Sequence, residues 1–559
     1  MNTLLNFYKK HFDAIFLSFG LIVTISVLVA NLLALPNNLV CSDEGWYLCL
    51  LRDTPQVGAT RYHLLFHNVF KNNIYAIRLA CWFSQFLGAL VLSLGITVWI
   101  RRYYKKGNLF VLYLLVLCSL YFGQMGMMTS CPSFNYITMN KIFAEISIGF
   151  MLIGLDRRKM IFFLLSGFMI AFLFPVMITN VIIIPIMFFV ILLLSDNKWR
   201  NVGGFVIGVI LFFVYYFVFV ESPQEIVQFI SVESKKVIAK SSGDYSIQFY
   251  ILWFFHVVCY YGKCLIVAAL LLAIYCKMKT FAYFSCKRNR VLTMVVVSIA
   301  VLLYMWTYLE PKPIVPFPYK ENGSIVWYSD LYWIFIFMLL LLAVKSNKSI
   351  EKDKLVICCF FLIVPFCLCL GSNVLFTDRQ REYLLFVMPV MVFLTLNRNI
   401  IWKSLMMVVL IVGFLLFFVS VSGRNIAGDK YFGEHISVET VGIQQNVKLS
   451  QSQISGLVTC KNRVPKGKVL CGSYEWWMVA LLDYIPISHT YKITRNEQEM
   501  SRVLNEEIEK NGNVWAISSI WENDFNEKME MMHGYDMQID TLGDHVFYYV
   551  SREKQLSEN

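Results

Sequence analysis

Apolar runs of about 18 or more residues recur along this chain to about residue 421, and short basic loops separate them. Runs of that length cross a bilayer as helices, because the hydrocarbon interior offers no water to backbone amides. The chain is 58% hydrophobic and only 15% charged, which is more apolar surface than a water-soluble fold hides. The formal charge of +12 is not a nucleic-acid signal. Its Lys and Arg lie in the short loops, where cationic residues set topology. Lys9 and Lys10 precede an apolar run reaching about Leu35. That run is too long for a cleaved leader and no small-residue cleavage site follows it, so it reads as a retained first helix.

The basic loops at 9–10, 101–106, 157–159, 197–200, 277–290, 345–354 and 397–399 are expected to face the cytoplasm. Helices are then expected near 12–35, 77–100, 109–128, 135–155, 160–176, 178–195, 202–220, 247–275, 291–309, 327–344, 355–371, 383–396 and 401–421. That makes about thirteen spans, with the N-terminus inside and the C-terminal tail outside. The 160–195 stretch needs a tight turn at Pro175 and Thr179-Asn180. Four outer segments remain: 36–76, 221–246, 310–324 and 371–382. Ser222-Pro223-Gln224-Glu225 in the second is a capping box with proline at the first helical position. Four prolines in the third predict an extended segment.

From about 422 the composition turns polar, which divides the chain into a helical module, 1–421, and a soluble domain, 422–559. KVLCGSYEWWMVALLDY reads as strand, turn at Gly472, then helix. Asn496-Glu497-Gln498-Glu499 caps a helix to about Lys510, and NVWAISSIW and HVFYYVS read as strands. The expected class is an α-helical polytopic membrane protein with a small extracytoplasmic α/β C-terminal domain. Cys460 and Cys471 are the two cysteines of that domain, and an outside location leaves a disulfide between them open.

The first outer segment carries CSDEGWYLCL, with Asp43 and Glu44 just past the first apolar run. On spacing alone the carboxylates are a solvated loop with Trp46 and Tyr47 as interfacial anchors, or a general base at the membrane surface. The stretch resembles the GT-C membrane glycosyltransferases, especially the branch of protein O-mannosyltransferases and aminoarabinose–lipid A transferases. That pattern is an acidic pair, an aromatic, a short amphipathic stretch and an Arg-Leu entering the second helix. Here it runs DEGWYLCLLRD, then RYHLLFHNVFKNNIYAIRLACWF with Arg78-Leu79, within about residues 12–100. The resemblance implies a polyprenyl-phosphate-linked sugar donor, Asp43 as base or acceptor-orienting carboxylate, Glu44 assisting and Arg78 at the substrate. The acceptor would be a glycan, a glycolipid or a protein. A bacterial inner membrane is the implied location. The chain departs from the pattern in two places. Arg61-Tyr62-His63 stands where a Lys-Pro-Pro-like element is often found, and TSCPSFNY, with Ser133, Asn135 and Tyr136, stands where many relatives have a second acidic residue.

A lipid-phosphate donor needs cations near the outer leaflet. Arg379 and Arg381 in the fourth outer segment are candidates, against the plainer reading of headgroup contacts. Lys263 lies mid-helix in WFFHVVCYYGKCLIV with His256 seven residues before it, and a lysine so placed faces a cavity or a partner. Tyr260 and Tyr261 between them could pack on lipid or sugar. Lys141 and Glu145 are an i,i+4 pair, read as a neutralising salt bridge. His63 and His67 have metal-ligand spacing without a clear third ligand, so no cofactor is assigned and a divalent metal stays open. Glu475-Trp476-Trp477 either stacks on sugar or supplies core tryptophans. The alternatives to a transferase are a transporter or flippase of lipid-linked sugars and a polysaccharide polymerase or ligase. No repeated halves support the first, and the late loops are short for the second.

Overall fold

A computed structural model describes residues 43–53, 61–66, 73–101, 133–228, 247–278, 332–342, 352–370, 380–395, 435–489, 497–532 and 535–552. It adds isolated positions between 18 and 37, at 69–70 and 231, between 402 and 409, and two-residue strands at 425–426 and 429–430.

The N-terminal part is helical. Its main helices are α1 (Asp43–Asp53), α2 (Ile74–Ile100), α3 (Tyr136–Arg157), α4 (Met160–Ala171), α5 (Lys198–Phe219) and α6 (Ile247–Met278). Among the described residues four helices are long and apolar enough to cross a membrane: α2, α3, α5 and Ile251–Ala273 within α6. Shorter apolar helices cover Met160–Val176, Ile178–Leu194, Tyr332–Leu342 and Tyr383–Thr395. Of the expected spans, 109–128 and 291–309 lie outside the described residues, as does the proline-rich segment 310–324. The runs at 12–35 and 401–421 are described only at scattered positions.

The turn expected near Pro175 is present. Helix Leu173–Val176 stops at Met177, whose backbone is extended, and a 3₁₀ turn follows over Ile178–Ile182. The Thr179 hydroxyl donates to the Leu370 carbonyl (2.7 Å) and the Asn180 amide to the Leu368 carbonyl (3.3 Å). Ser222 caps Pro223–Gln228 as its motif predicts, with Glu225 accepting from the Ser222 amide at 2.7 Å. Small residues let the long helices touch. A Cβ on Gly149 would stand 2.5 Å from the Val91 carbonyl oxygen of α2, so α2 and α3 meet backbone to backbone.

The C-terminal region is α/β. Strands β1 (Lys468–Cys471), β2 (Ile485–Pro486), β3 (Asn513–Ser519), β4 (Tyr535–Leu542) and β5 (His545–Arg552) form one sheet in the order β2-β1-β3-β5-β4. β1 runs parallel to both β2 and β3, while β5 is antiparallel to β3 and to β4. Helices α7 (Gln451–Arg463), α8 (Trp476–Leu481), α9 (Glu497–Asn511) and α10 (Asn523–Glu530) surround it. The strand, the turn at Gly472 and the helix expected from KVLCGSYEWWMVALLDY are β1 and α8; β3, β5 and α9 also fall as expected. Ser450 makes a full capping box with Gln453 at the start of α7. Cys460 and Cys471 are free, buried thiols and not a disulfide. Burial pushes the Cys460 thiol up to about 12 and the Cys471 thiol well above its usual value.

The two parts share a core. Tyr47, Leu48, Leu50 and Leu51 of α1 pack in one apolar cluster with Ile77 and Met139 of the helical module and with Val469, Trp476 and Trp477 of the domain. Each buried leucine there contributes about 1.5–3 kcal/mol. α1 replaces what reads in sequence as a loop.

Candidate active site

The site is built around α1. Asp43 is the first residue of that helix, so its acidic pair lies at the positive end of the helix dipole and Arg52 at the negative end. Glu44 is fully buried, as is Arg78 on α2. The Arg78 guanidinium grips Glu44 with two parallel bonds, Nε to Oε1 at 2.8 Å and Nη2 to Oε2 at 2.7 Å. Such a fork is the strong geometry for a guanidinium and a carboxylate. Nη1 donates to the carbonyls of Leu35 (2.6 Å) and Asn37 (3.3 Å), where the chain leaves the first apolar run. Ser133 completes the set, donating its hydroxyl to Glu44 Oε1 at 2.5 Å.

Three separate pieces of the sequence therefore meet on Glu44. The TSCPSFNY turn, which lacks an acidic residue, supplies a hydroxyl to the acid already present. Its other candidates are structural: Asn135 caps α3 in a capping box, and the Tyr136 ring lies 6.5 Å from that of Tyr47. The Phe134 carbonyl accepts from the Tyr62 hydroxyl at 3.0 Å. Asp43 occupies the helical position before Glu44, roughly 100° round the axis; its side chain lies outside the described positions.

The C-terminal α/β region closes over α1. Gly45 allows this, since a Cβ there would lie 2.2 Å from the Trp477 backbone nitrogen. Trp46 donates its Nε1 proton to the His489 carbonyl (2.9 Å), and His489 Nε2 meets Asp53 at 2.8 Å. Arg52 bonds Asp53 (2.6 Å), Asp483 (3.2 Å) and the Tyr484 carbonyl (2.6 Å). Burial alone would raise the Asp53 carboxyl, but the bonds from His489 and Arg52 hold it below its usual value. Trp46 and Tyr47 are thus joints between the two parts and not lipid-facing anchors; Tyr47 is buried.

The remaining sequence candidates fall elsewhere. Lys263 is half-buried on α6; Tyr260 and Cys264 beside it pack in the larger apolar cluster of the helical module. Tyr261 packs on Trp333 with ring centroids 4.7 Å apart. His256 lies on α6 and Arg381 on a 3₁₀ turn over Gln380–Phe386, with side chains outside the described positions. Arg379 and His67 lie outside the described residues. Lys141 and Glu145 are both buried on α3 and interact electrostatically, but both Glu145 carboxylate oxygens are without a hydrogen-bond partner, so the close salt bridge expected from the spacing is not seen. Among the described residues no group of three or more His, Cys, Asp or Glu is placed to hold a metal, and His63 is buried beside Tyr62. Trp476 and Trp477 are core residues, which settles them as packing.

A further ion pair lies outside the acidic-pair motif. Arg61 forms a buried ion pair with Glu221, and Tyr216 donates to the same carboxylate at 2.8 Å. The Arg61 amide also donates to the Pro175 carbonyl (2.6 Å). This ties the first outer segment to the end of α5. The available clue is Glu221 itself, an acid directly after a membrane-length apolar run.

Comparison with protein-family models finds no match to this chain. Comparison with curated proteins finds no match either.

Proposed function

We propose that this protein is an integral-membrane glycosyltransferase of the GT-C type. It would move a sugar from a polyprenyl-phosphate-linked donor to an acceptor hydroxyl on the extracytoplasmic face. The observation that carries the reading is the division of labour in the acidic pair. Glu44 has its carboxylate committed to Arg78 and Ser133, so the base role falls to Asp43, the first residue of the same helix. A base must be held firmly and yet be open to substrate.

In this mechanism the acceptor O–H gives its proton to the Asp43 carboxylate as its oxygen attacks the anomeric carbon. The bond from that carbon to the phosphate oxygen breaks, and the polyprenyl phosphate leaves with its electron pair. Glu44 and Arg78 fix the start of α1 and do not touch the reacting atoms. Donor phosphate then needs other cations, and Lys263, Arg379 and Arg381 are the candidates. A divalent metal has no described cluster to hold it, and no step is assigned to one.

The test is sugar transfer from a polyprenyl-phosphate sugar pool in membranes carrying wild type or Asp43→Asn at matched levels. We expect transfer by wild type and its loss in the variant, with unchanged insertion. Equal transfer by both would remove Asp43 from the chemistry. A flippase of lipid-linked sugars is the second reading, favoured by the buried Lys141–Glu145 pair within a membrane-length helix. Movement of a fluorescent lipid-linked sugar across reconstituted vesicles, without transfer, would select it.

A further inference from the structure

The parallel part of the soluble domain's sheet reverses direction of growth at β1. From β1 the chain crosses to β2 on one side and then to β3 on the other. In open α/β sheets the carboxyl ends of strands at such a reversal form a crevice where ligands bind. Here the two loops at that crevice are Gly472-Ser473-Tyr474-Glu475 after β1 and Ile520-Trp521-Glu522 after β3.

One carboxylate bolts these loops together. Glu522 is buried and accepts from the Ser473 amide (2.5 Å), the Tyr474 amide (3.5 Å) and the Ser518 hydroxyl (3.4 Å). Gly472 makes room for it, since a Cβ there would meet Glu522 Oε2 and displace the carboxylate. A third loop joins them. The Asp544 carbonyl accepts from the Ile520 amide (3.0 Å) and the Ser519 hydroxyl (3.2 Å), and the Asp544 side chain is exposed. Behind it His545 bonds the buried Glu475 at 3.0 Å.

On this fixed base stand two exposed rings, Tyr474 at 48% and Trp521 at 72% exposure. Large aromatic rings held outward on rigid loops are recognition surfaces, since they bring contact area at little entropic cost. The charges select the ligand. The loops 472–475, 519–522 and 544–545 contain Glu475, Glu522 and Asp544 and no Lys or Arg. Phosphates, nucleic acids and anionic lipid surfaces are therefore disfavoured. A neutral saccharide fits, with its C–H faces on the rings and its hydroxyls donating to Asp544.

Position adds the last link. The first turn of α8, two residues past Tyr474, is where Gly45 of α1 makes its closest approach. Tyr474 therefore lies within three residues of the contact made by the helix that begins at Asp43.

We propose that Tyr474, Trp521 and Asp544 form a saccharide-binding subsite on the soluble domain, which receives the glycan of the acceptor. The word acceptor rests on the transferase reading; the binding itself does not.

The experiment uses full-length protein in nanodiscs and three hexasaccharides, maltohexaose, mannohexaose and chitohexaose, with Kd as the readout. At least one should bind, and Trp521→Ala and Tyr474→Ala should each weaken it about fivefold or more, while Trp521→Phe stays within about threefold. Failure of all three sugars to bind wild type overturns the proposal, and so does binding indifferent to Trp521→Ala. Brominated lipids in the nanodisc provide the competing outcome. Quenching that vanishes in Trp521→Phe would place the ring in the bilayer and overturn the subsite. Transfer by wild type with Trp521-independent binding sinks the subsite alone. Trp521-dependent binding without transfer sinks the enzyme reading alone.

Discussion

Arg78→Ala strands a buried carboxylate. Glu44 and Arg78 are both completely buried, so water cannot replace the lost guanidinium. Breaking such a pair costs about 3–5 kcal/mol. The carbonyls of Leu35 and Asn37 lose their donor as well, which keeps the cost at the upper part of that range. The damage is local to the start of α1, so hydrogen exchange of the Asp43–Asp53 amides in detergent-purified protein is the assay. A cost of that size multiplies the opening equilibrium by roughly 10² to 10⁴. The double variant Glu44→Met with Arg78→Met removes both charges at similar volume. It should recover part of the protection, because the stranded charge is gone, while the Ser133 hydroxyl and the two carbonyls each cost about 1–3 kcal/mol where water does not reach them. Two results would refute the reasoning. One is unchanged protection in Arg78→Ala. The other is a double variant no better protected than the single.

Gly45→Ala drives a methyl into the Trp476–Trp477 backbone, which cannot yield; the domain should undock, read as faster proteolysis between the two parts with wild-type levels in the membrane. The His545–Glu475 pair predicts a pH dependence. Burial alone would lower the His545 pKa, but the bond to Glu475 outweighs it and the net shift is upward from 6.5. Its stabilisation is then complete below 6.5 and fades as pH rises through the raised value. Thermal melting of the protein should fall between pH 6 and 8.5, and His545→Asn should flatten that slope. Cys460 and Cys471, buried with raised pKa values, should resist maleimide at pH 7 in the folded protein and both react after unfolding. A mass two hydrogens lower under non-reducing conditions would contradict the free thiols.

Long elements were legible in sequence because their signals are local. α2, α3 and α5 are runs of apolar residues, and Pro175 marks its turn unaided. β1, β3 and β5 carry buried apolar residues between turns. α1 was not legible. It is apolar or buried nearly all round, from Glu44 to Leu51, because protein covers it on both sides. A helix covered on both sides carries no single apolar stripe to betray it. α7 and α10 are short polar helices whose inward residues are few, and β4 lies at the sheet edge with most side chains in water. For the site, the acidic pair and Arg78 were legible by type and order. Their mutual engagement was not, nor was Ser133 as the third partner. Those contacts join positions 34 and 89 residues apart, and nothing in a single sequence records such distances. The Tyr474–Trp521 pair was hidden similarly, behind the more conspicuous Trp476-Trp477.

The sandwiching of α1 has a consequence for biogenesis. Trp46 bonds a carbonyl 443 residues further along the chain. At ordinary translation speeds the ribosome needs about 20–90 s to bridge that gap. For that interval α1 has its membrane-side partners, Arg78 and Ser133, but not its roof. The nascent protein must carry an uncovered apolar surface, Tyr47 to Leu51, at the bilayer edge until its last hundred residues have arrived. Truncation anywhere before β1 would leave that surface permanently bare, and quality-control proteases would have a ready mark by which to tell finished molecules from unfinished ones.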